Sequence, residues 1–362
     1  MTKKIKTHYD HIIIGQGLAG SCVALQLIKR GKKILVFDEP LKNKASAVAA
    51  GLFNPIAGKF MTKAWLADKI FPSLFQFYEE AEQQLSEKFF YPQSVYRPFI
   101  SVKEQNQWMG RSENPELKFF IDKVFTSPTF ERQIRNPFGG VLINHTGYVD
   151  TNSFMMATRN FLKKQSAFQE AHVGLGCVEI FPDKVLYQGV QAKNIICCEG
   201  VDSLENPLFG WVPIIPLKGE MLTVSLPEKP MAIFNRGIYI VPKSETEYWV
   251  GATYKPGDER QEITVEARLE LKEMVNDLLK IRYTINHQYW GIRPATPDIR
   301  PVLGAHPRHK NVIIFNGLGT KGVSLSPYFS GLLANWLEGK AEIPLEVNIE
   351  RFKALYSKLS SG

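Results

Sequence analysis

The 362-residue chain predicts an α/β protein: a parallel-sheet unit begun at the N-terminus and interrupted by a second, β-rich α+β unit. Three observations predict it. Residues 11–38 run strand, glycine turn, helix, strand; residues 91–149 and 212–250 replace helical periodicity with short apolar runs; residues 311–338 return to strand, glycine turn and helix. With 44% hydrophobic and 22% charged residues, the composition is that of a globular chain and excludes a disordered, collagenous or low-complexity one. At roughly 100 to 200 residues per domain, the length fits two domains.

The first segment carries the sharpest signal. His11-Ile12-Ile13-Ile14 forms a buried strand, Gly15-Gln16-Gly17-Leu18-Ala19-Gly20 a tight turn, and Ser21 to Arg30 a helix closed by Gly31. Lys33 to Phe37 makes a second strand ending at Asp38, 18 residues beyond Gly20. Gly15 permits the turn, and Gly17 lets the backbone approach a pyrophosphate beside the Leu18 and Ala19 amides. Gly20 lets the helix pack against the strand, and Asp38 accepts hydrogen bonds from an adenosine ribose. A Rossmann-type dinucleotide site follows. Small residues then crowd the stretch Lys42-Asn43-Lys44-Ala45-Ser46-Ala47-Val48-Ala49-Ala50-Gly51-Leu52, which suits an extended segment under a long cofactor and favours FAD over NAD.

Apolar residues at helical spacing from Trp65 to Phe90 predict a long helix that Pro72 kinks or breaks. Between Tyr91 and Val149, prolines and Gly139-Gly140 punctuate strand-like runs. Gly147-Tyr148-Val149-Asp150 leads into a helix over 151–164 with Asp150 or Thr151 near its N-cap, and strand Asn194 to Cys198 ends at Glu199-Gly200-Val201-Asp202. A helix is expected over 264–281. The strand Asn311 to Phe315 runs into Gly317-Leu318-Gly319-Thr320-Lys321-Gly322 and a helix to about Glu338. The first unit is therefore assigned 1–90, 141–211 and 286–362, and the second 91–140 and 212–285.

A formal net charge of +8 favours anionic partners, but Lys3-Lys4, Lys32-Lys33 and Lys163-Lys164 are short and scattered, so solvated surface is favoured over a nucleic-acid stripe. Cys22, Cys177, Cys197 and Cys198 show neither CxxC nor metal-ligand spacing, and no metal site is expected. The short apolar run after the basic N-terminus and the lack of any long apolar segment predict no membrane partner and a cytoplasmic location.

Together the Gly15 to Gly20 fingerprint with Asp38, Ala49-Ala50-Gly51-Leu52, Gly147 to Asp150, Pro216-Leu217-Lys218-Gly219-Glu220, Tyr239-Ile240-Val241-Pro242, Gly251-Ala252-Thr253, Gly291 to Asp298 and the Gly317 to Gly322 turn resemble the D-amino-acid oxidase superfamily of flavoproteins. The resemblance spans nearly the whole chain. It implies a Rossmann-type FAD-binding domain of the glutathione-reductase-like FAD fold, roofed by a β-rich substrate domain, and oxidation of a carbon–nitrogen bond by hydride transfer to flavin. It further implies that Glu39, Ser46, Ala49, Gly51, Leu52, Val173, Glu199, Gly200, Gly319, Thr320, Lys321, Gly322 and Val323 join Gly15, Gly17, Leu18, Ala19, Gly20 and Asp38 around the cofactor.

The same resemblance places Arg293 as the anchor of a substrate carboxylate, whose planar fork suits bidentate binding; the competing role is a structural arginine bonding loop carbonyls or Asp298. Tyr239 is implied to reach the same carboxylate. Tyr254 is expected at the pocket wall or as a packed sheet aromatic. Lys321, at a helix start, is implied to stabilise the reduced flavin, assist reaction with oxygen, or bind substrate. Glycine oxidases carry an arginine where this chain has Thr320, which departs from glycine as substrate. With glycine at 291, where monomeric sarcosine oxidases attach flavin through cysteine, and no histidine in Ser46 to Gly51, the FAD is expected to be non-covalent. The expected substrate is a small amino acid or N-substituted glycine, giving an imine that hydrolyses, with oxygen or another electron acceptor. The alternatives are a carboxymethylaminomethyl uridine in tRNA, a flavin-binding protein without turnover, and a hydroxy-acid or glycerol-phosphate dehydrogenase.

Overall fold

Strand Thr7–Ile14 ends in three isoleucines, apolar on both faces, with Ile12 and Ile13 fully buried, and so takes the centre of a mostly parallel sheet. The computed structural model describes residues 7–39, 43–57 and 62–360; the Lys3-Lys4 pair and Lys42 lie outside them. On one side of the central strand stand Ile34–Asp38 and then Phe168–Glu170; on the other stand Val190–Cys197 and then Val312–Asn316, all parallel. Strand order thus reverses between Thr7–Ile14 and Val190–Cys197, which opens a crevice at their C-terminal ends.

Helix Leu18–Lys29 leaves that crevice, and helices Gly322–Leu337 and Thr151–Lys164 pack beside it. Its close seating depends on Gly20, where a Cβ would fall 1.9 Å from the Gly15 carbonyl oxygen. Asp150 caps Thr151–Lys164 by accepting from the Ser153 amide at 3.0 Å. Helix Ala67–Leu85 runs through Pro72 rather than ending there. Its Ile70, Phe71, Leu74, Phe77, Tyr78 and Ala81 are buried, and that packing outweighs the backbone bond lost at the proline.

The second sheet has nine strands. Its long strand Ile215–Ser225 pairs antiparallel with Glu247–Gly251 on one edge and Thr284–Ala295 on the other, and Ile238–Pro242, Ile233–Arg236, Val95–Pro98, Gly140–Ile143 and Ile121–Phe125 follow. It therefore runs past the boundaries read from the sequence at 141 and 286. Alternation splits its faces. Leu222, Val224, Ile240, Tyr248 and Val250 pack against Leu271, Val275 and Leu278 of helix Val265–Leu278, whereas Met221, Val241 and Trp249 face the first unit across Ala50.

The 91–149 stretch also differs from the strand-only expectation, because it contains helix Val102–Arg111. Ser101 accepts from the Glu104 amide at 3.2 Å, while the Glu104 carboxylate accepts from the Ile100 amide at 2.8 Å. That is a variant of the reciprocal cap that an S-x-x-E sequence forms at a helix start.

Candidate active site

A continuous cavity of about 630 Å³ runs from the crevice to the inward face of the second sheet. At the crevice end it is walled by Gly15, Gly17, Leu18 and Ala19, with the segment from Lys44 to Leu52 lying across them. The Ser46 hydroxyl accepts from the Leu18 amide at 3.2 Å. Asp38 is buried, and its carboxylate accepts from the Gln16 amide at 2.8 Å, pairs with the Lys44 ammonium and lies 3.6 Å from Arg159. Gln16 is itself clamped, donating to Ser21 Oγ at 3.0 Å and to the Met155 carbonyl at 2.8 Å while accepting from Arg159 Nε at 2.9 Å. Glu39 meets His172 at 2.8 Å beside the buried Val173.

Glu199 and Gly200 form the next stretch of wall. Asn206 donates to the Glu199 carboxylate at 2.5 Å, yet burial pushes that carboxyl up to about 7. Gly319, Thr320, Gly322 and Val323 line the cavity at the start of helix Gly322–Leu337, and Ala49, Gly51 and Leu52 lie on the wall as well.

At the sheet end, register decides what faces inward. Tyr239, Gly251, Met221 and Tyr289 fall in one cross-strand row, and Gly219 pairs with Gly291 in a neighbouring inward row. Glycine at 219, 251 and 291 lets neighbouring groups close on this face where it roofs the cavity: the Arg293 guanidinium at Gly219, Met221 and the Tyr239 hydroxyl at Gly251, and Val48 at Gly291. A Cβ on Gly219 would fall 2.1 to 2.5 Å from Nη1, Nη2 and Cζ of Arg293, so the guanidinium lies directly over that glycine. Among the described residues Arg293 has no hydrogen-bond or ion-pair partner; Asp298, its candidate structural partner, is held by Arg351 Nε at 2.9 Å. Tyr239 donates to Met221 Sδ at 3.2 Å. Burial raises its hydroxyl pKa, and the nearby Arg293 charge opposes that shift.

All the residues expected at the site line this cavity except two. Gly20 lies behind the turn, where it serves packing. Lys321 lines a neighbouring cavity instead, and burial lowers its pKa. Tyr254 is 59% exposed and sits at the rim rather than packed in the sheet. Sequence reasoning missed Gln16, Lys44 and Arg159 around Asp38, since nothing local marks Arg159 as a neighbour of a strand end 121 residues earlier. It also missed the glycine face, although the odd spacing of 219 and 221 and of 291 and 293 along two strands was a usable period-two signal.

The dinucleotide crevice, roofed by a sheet whose glycines admit an arginine that is unpaired among the described residues, defines an FAD-type oxidoreductase site. The Gly15 and Gly17 backbone, a cavity reaching from the crevice to the second sheet and the buried acid at the second strand's end fit that cofactor. Residues 10–336 match the family described as DAO, FAD dependent oxidoreductase, and the chain belongs to it. It is 25% identical over 365 residues to the bifunctional protein ThiO/ThiG of Trichormus variabilis, covering 93% of this chain and 54% of that one. The chain thus spans about half the length of that relative. It is also 25% identical over 384 residues to a glycine oxidase of Bacillus licheniformis, covering 97% and 98%. The structure of iminodiacetate oxidase from Chelativorans sp. BNC1 shares the fold, with a TM-score of 0.80 at 21% identity over 93% and 97% of the two chains. No described helix is long and apolar enough to cross a membrane.

Proposed function

We propose that the protein oxidises the carbon–nitrogen bond of a small amino acid or N-substituted glycine, with non-covalent FAD as its redox group. The observation that carries this reading is the Arg293 guanidinium over Gly219, unpaired among the described residues. A cation facing a cavity without a protein acceptor suits a substrate carboxylate, and its fork holds that group by two parallel bonds.

When bound, FAD supplies the hydride acceptor. Gly15, Gly17, Leu18 and Ala19 hold its pyrophosphate at the helix start, Asp38 and Glu39 its ribose, and Ser46, Ala49, Gly51, Leu52, Val173, Glu199, Gly200, Gly319, Thr320, Gly322 and Val323 the remaining walls. Arg293 fixes the substrate carboxylate, and the Tyr239 hydroxyl stands beside it to donate a further hydrogen bond. Carboxylate anchoring turns the Cα hydrogen towards the cavity, and glycine at 219 leaves room for the Arg293 guanidinium that does the anchoring. The amine reacts neutral, its lone pair assisting departure of the hydride; no side chain has to remove a Cα proton. The imine then takes up water and splits to a carbonyl product and an amine. A non-covalent flavin is supported by Gly291, whose neighbours are Val48 and Ala45, and by the burial of Cys22 and Cys197 away from the cavity wall.

The test is anaerobic bleaching of the purified flavoprotein by glycine, sarcosine, other N-substituted glycines, D- and L-amino acids, 2-hydroxy acids and an oligonucleotide carrying carboxymethylaminomethyl uridine. Bleaching by a small amine is expected. Bleaching by hydroxy acids or the oligonucleotide alone would overturn the reading, as would no bleaching at all.

A further inference from the structure

Next to the first cavity lies a second of about 810 Å³, and the two share Leu52, Gly237 and Thr320 in their walls. The junction is at the sheet end, where Gly237 precedes the strand carrying Tyr239. Charge in the second cavity is lopsided: Arg97, Lys103 and Lys321 stand against one carboxylate, Glu104. That carboxylate is already engaged, taking Arg97 Nη2 at 3.0 Å and the Ile100 amide at 2.8 Å. Arg97 Nε is buried without a hydrogen-bond partner. Neither Lys321 nor Lys103 has an acceptor among the described residues. Lys321 is half-buried, and burial without a counter-ion lowers its pKa.

An ammonium withdrawn from water with nothing to offset it is costly unless a ligand anion completes it. Arg293 lines the first cavity only, so a carboxylate held there leaves the cations of the second without an anion. We infer that the second cavity is a subsite for an acidic substituent on the substrate nitrogen, so that the substrate class is an iminodicarboxylate: Arg293 holds the carboxylate next to the reacting carbon, and Lys321, with Lys103, holds the distal one. Proposed carbon–nitrogen oxidation is the reading on which this rests. Thr320 stands in both walls, at the passage between the two subsites.

The experiment compares acidic and neutral substituents of similar size, N-(carboxymethyl)glycine and N-(2-carboxyethyl)glycine against N-ethylglycine and N-propylglycine, by anaerobic flavin reduction of the holoprotein. The acidic members are expected to show a ratio of reduction rate to Kd at least about tenfold higher, a charge-assisted hydrogen bond's worth. Lys321→Gln should collapse that preference by about tenfold, Lys321→Arg should retain most of it, and Lys103→Gln should lower it by about threefold. Raising salt should erode the wild-type preference, which keeps the inference testable should Lys321→Gln fail to fold.

Equal use of acidic and neutral amines by the wild type would overturn the subsite while leaving amine oxidation standing. Equal loss on both amines in Lys321→Gln would likewise overturn it, because the lysine would then act on the shared carboxylate or on the flavin. A preference for the uridine oligonucleotide over both amine classes would assign the cavity to nucleic acid and overturn it too. Failure of every amine to bleach the flavin would instead remove the underlying reading, and the subsite with it.

Discussion

Arg293 and Glu199 are held by opposite logic. Arg293 keeps its charge towards the cavity with no partner among the described residues, so its substitution removes a ligand contact and breaks no internal bond among them. Arg293→Leu should raise the apparent Kd of the reducing amine at least about thirtyfold, the loss expected for charged hydrogen bonds, while the bound-flavin spectrum stays unchanged; anaerobic titration measures both. Glu199 has a carboxyl raised to about 7 from 4.5, chiefly by burial. The raised value means that the protonated group stabilises the fold below about pH 4.5 and that this contribution is lost as pH climbs to 7. The amount is at most on the order of 3 kcal/mol. In thermal melts of the apoprotein, Glu199→Gln should therefore exceed wild type in Tm at pH 8 and lose that margin near pH 4.5. An equal margin at both pH values would show that Glu199 titrates normally.

The sheet's inward face is the element on which the site depends. Gly219 and Gly291 are paired residues of neighbouring strands, and Arg293 occupies the space that a side chain at 219 would take. Gly219→Ala should displace the guanidinium and raise the Kd of a carboxylate substrate about tenfold or more, with far-UV circular dichroism and flavin content retained. An alanine variant with unchanged Kd would show that Arg293 acts from another position. Two elements show why sequence patterns mislead locally. Pro72 is a helix breaker by its own chemistry, yet burial of the helix face carries Ala67–Leu85 through it. Ser101-Val102-Lys103-Glu104 announces a helix by its cap, but the surrounding prolines and short apolar runs outweigh that four-residue signal.

At the scale of the whole molecule, the cavity is built from both sheets, so a ligand that fills it ties them together. Removing FAD should lower Tm, and adding it back should restore Tm in a concentration-dependent way, by linkage between binding and folding; a Tm indifferent to FAD would contradict that coupling. Local chemistry by itself determined the strand, the Gly15 to Gly20 turn, the helix and Asp38, because a tight turn, a close phosphate approach and a ribose acceptor each demand a residue type at a fixed distance along one chain segment. It also determined the β-rich stretch over 212–250 that carries Tyr239. Tertiary structure alone decided that Lys44, Arg159 and Gln16 gather on Asp38, that Asp298 belongs to Arg351 and leaves Arg293 free, and that Lys321 faces a second cavity. The physical reason is that these pairings join residues up to 121 positions apart between Asp38 and Arg159, and which cation meets which carboxylate depends on how the two sheets and their helices pack.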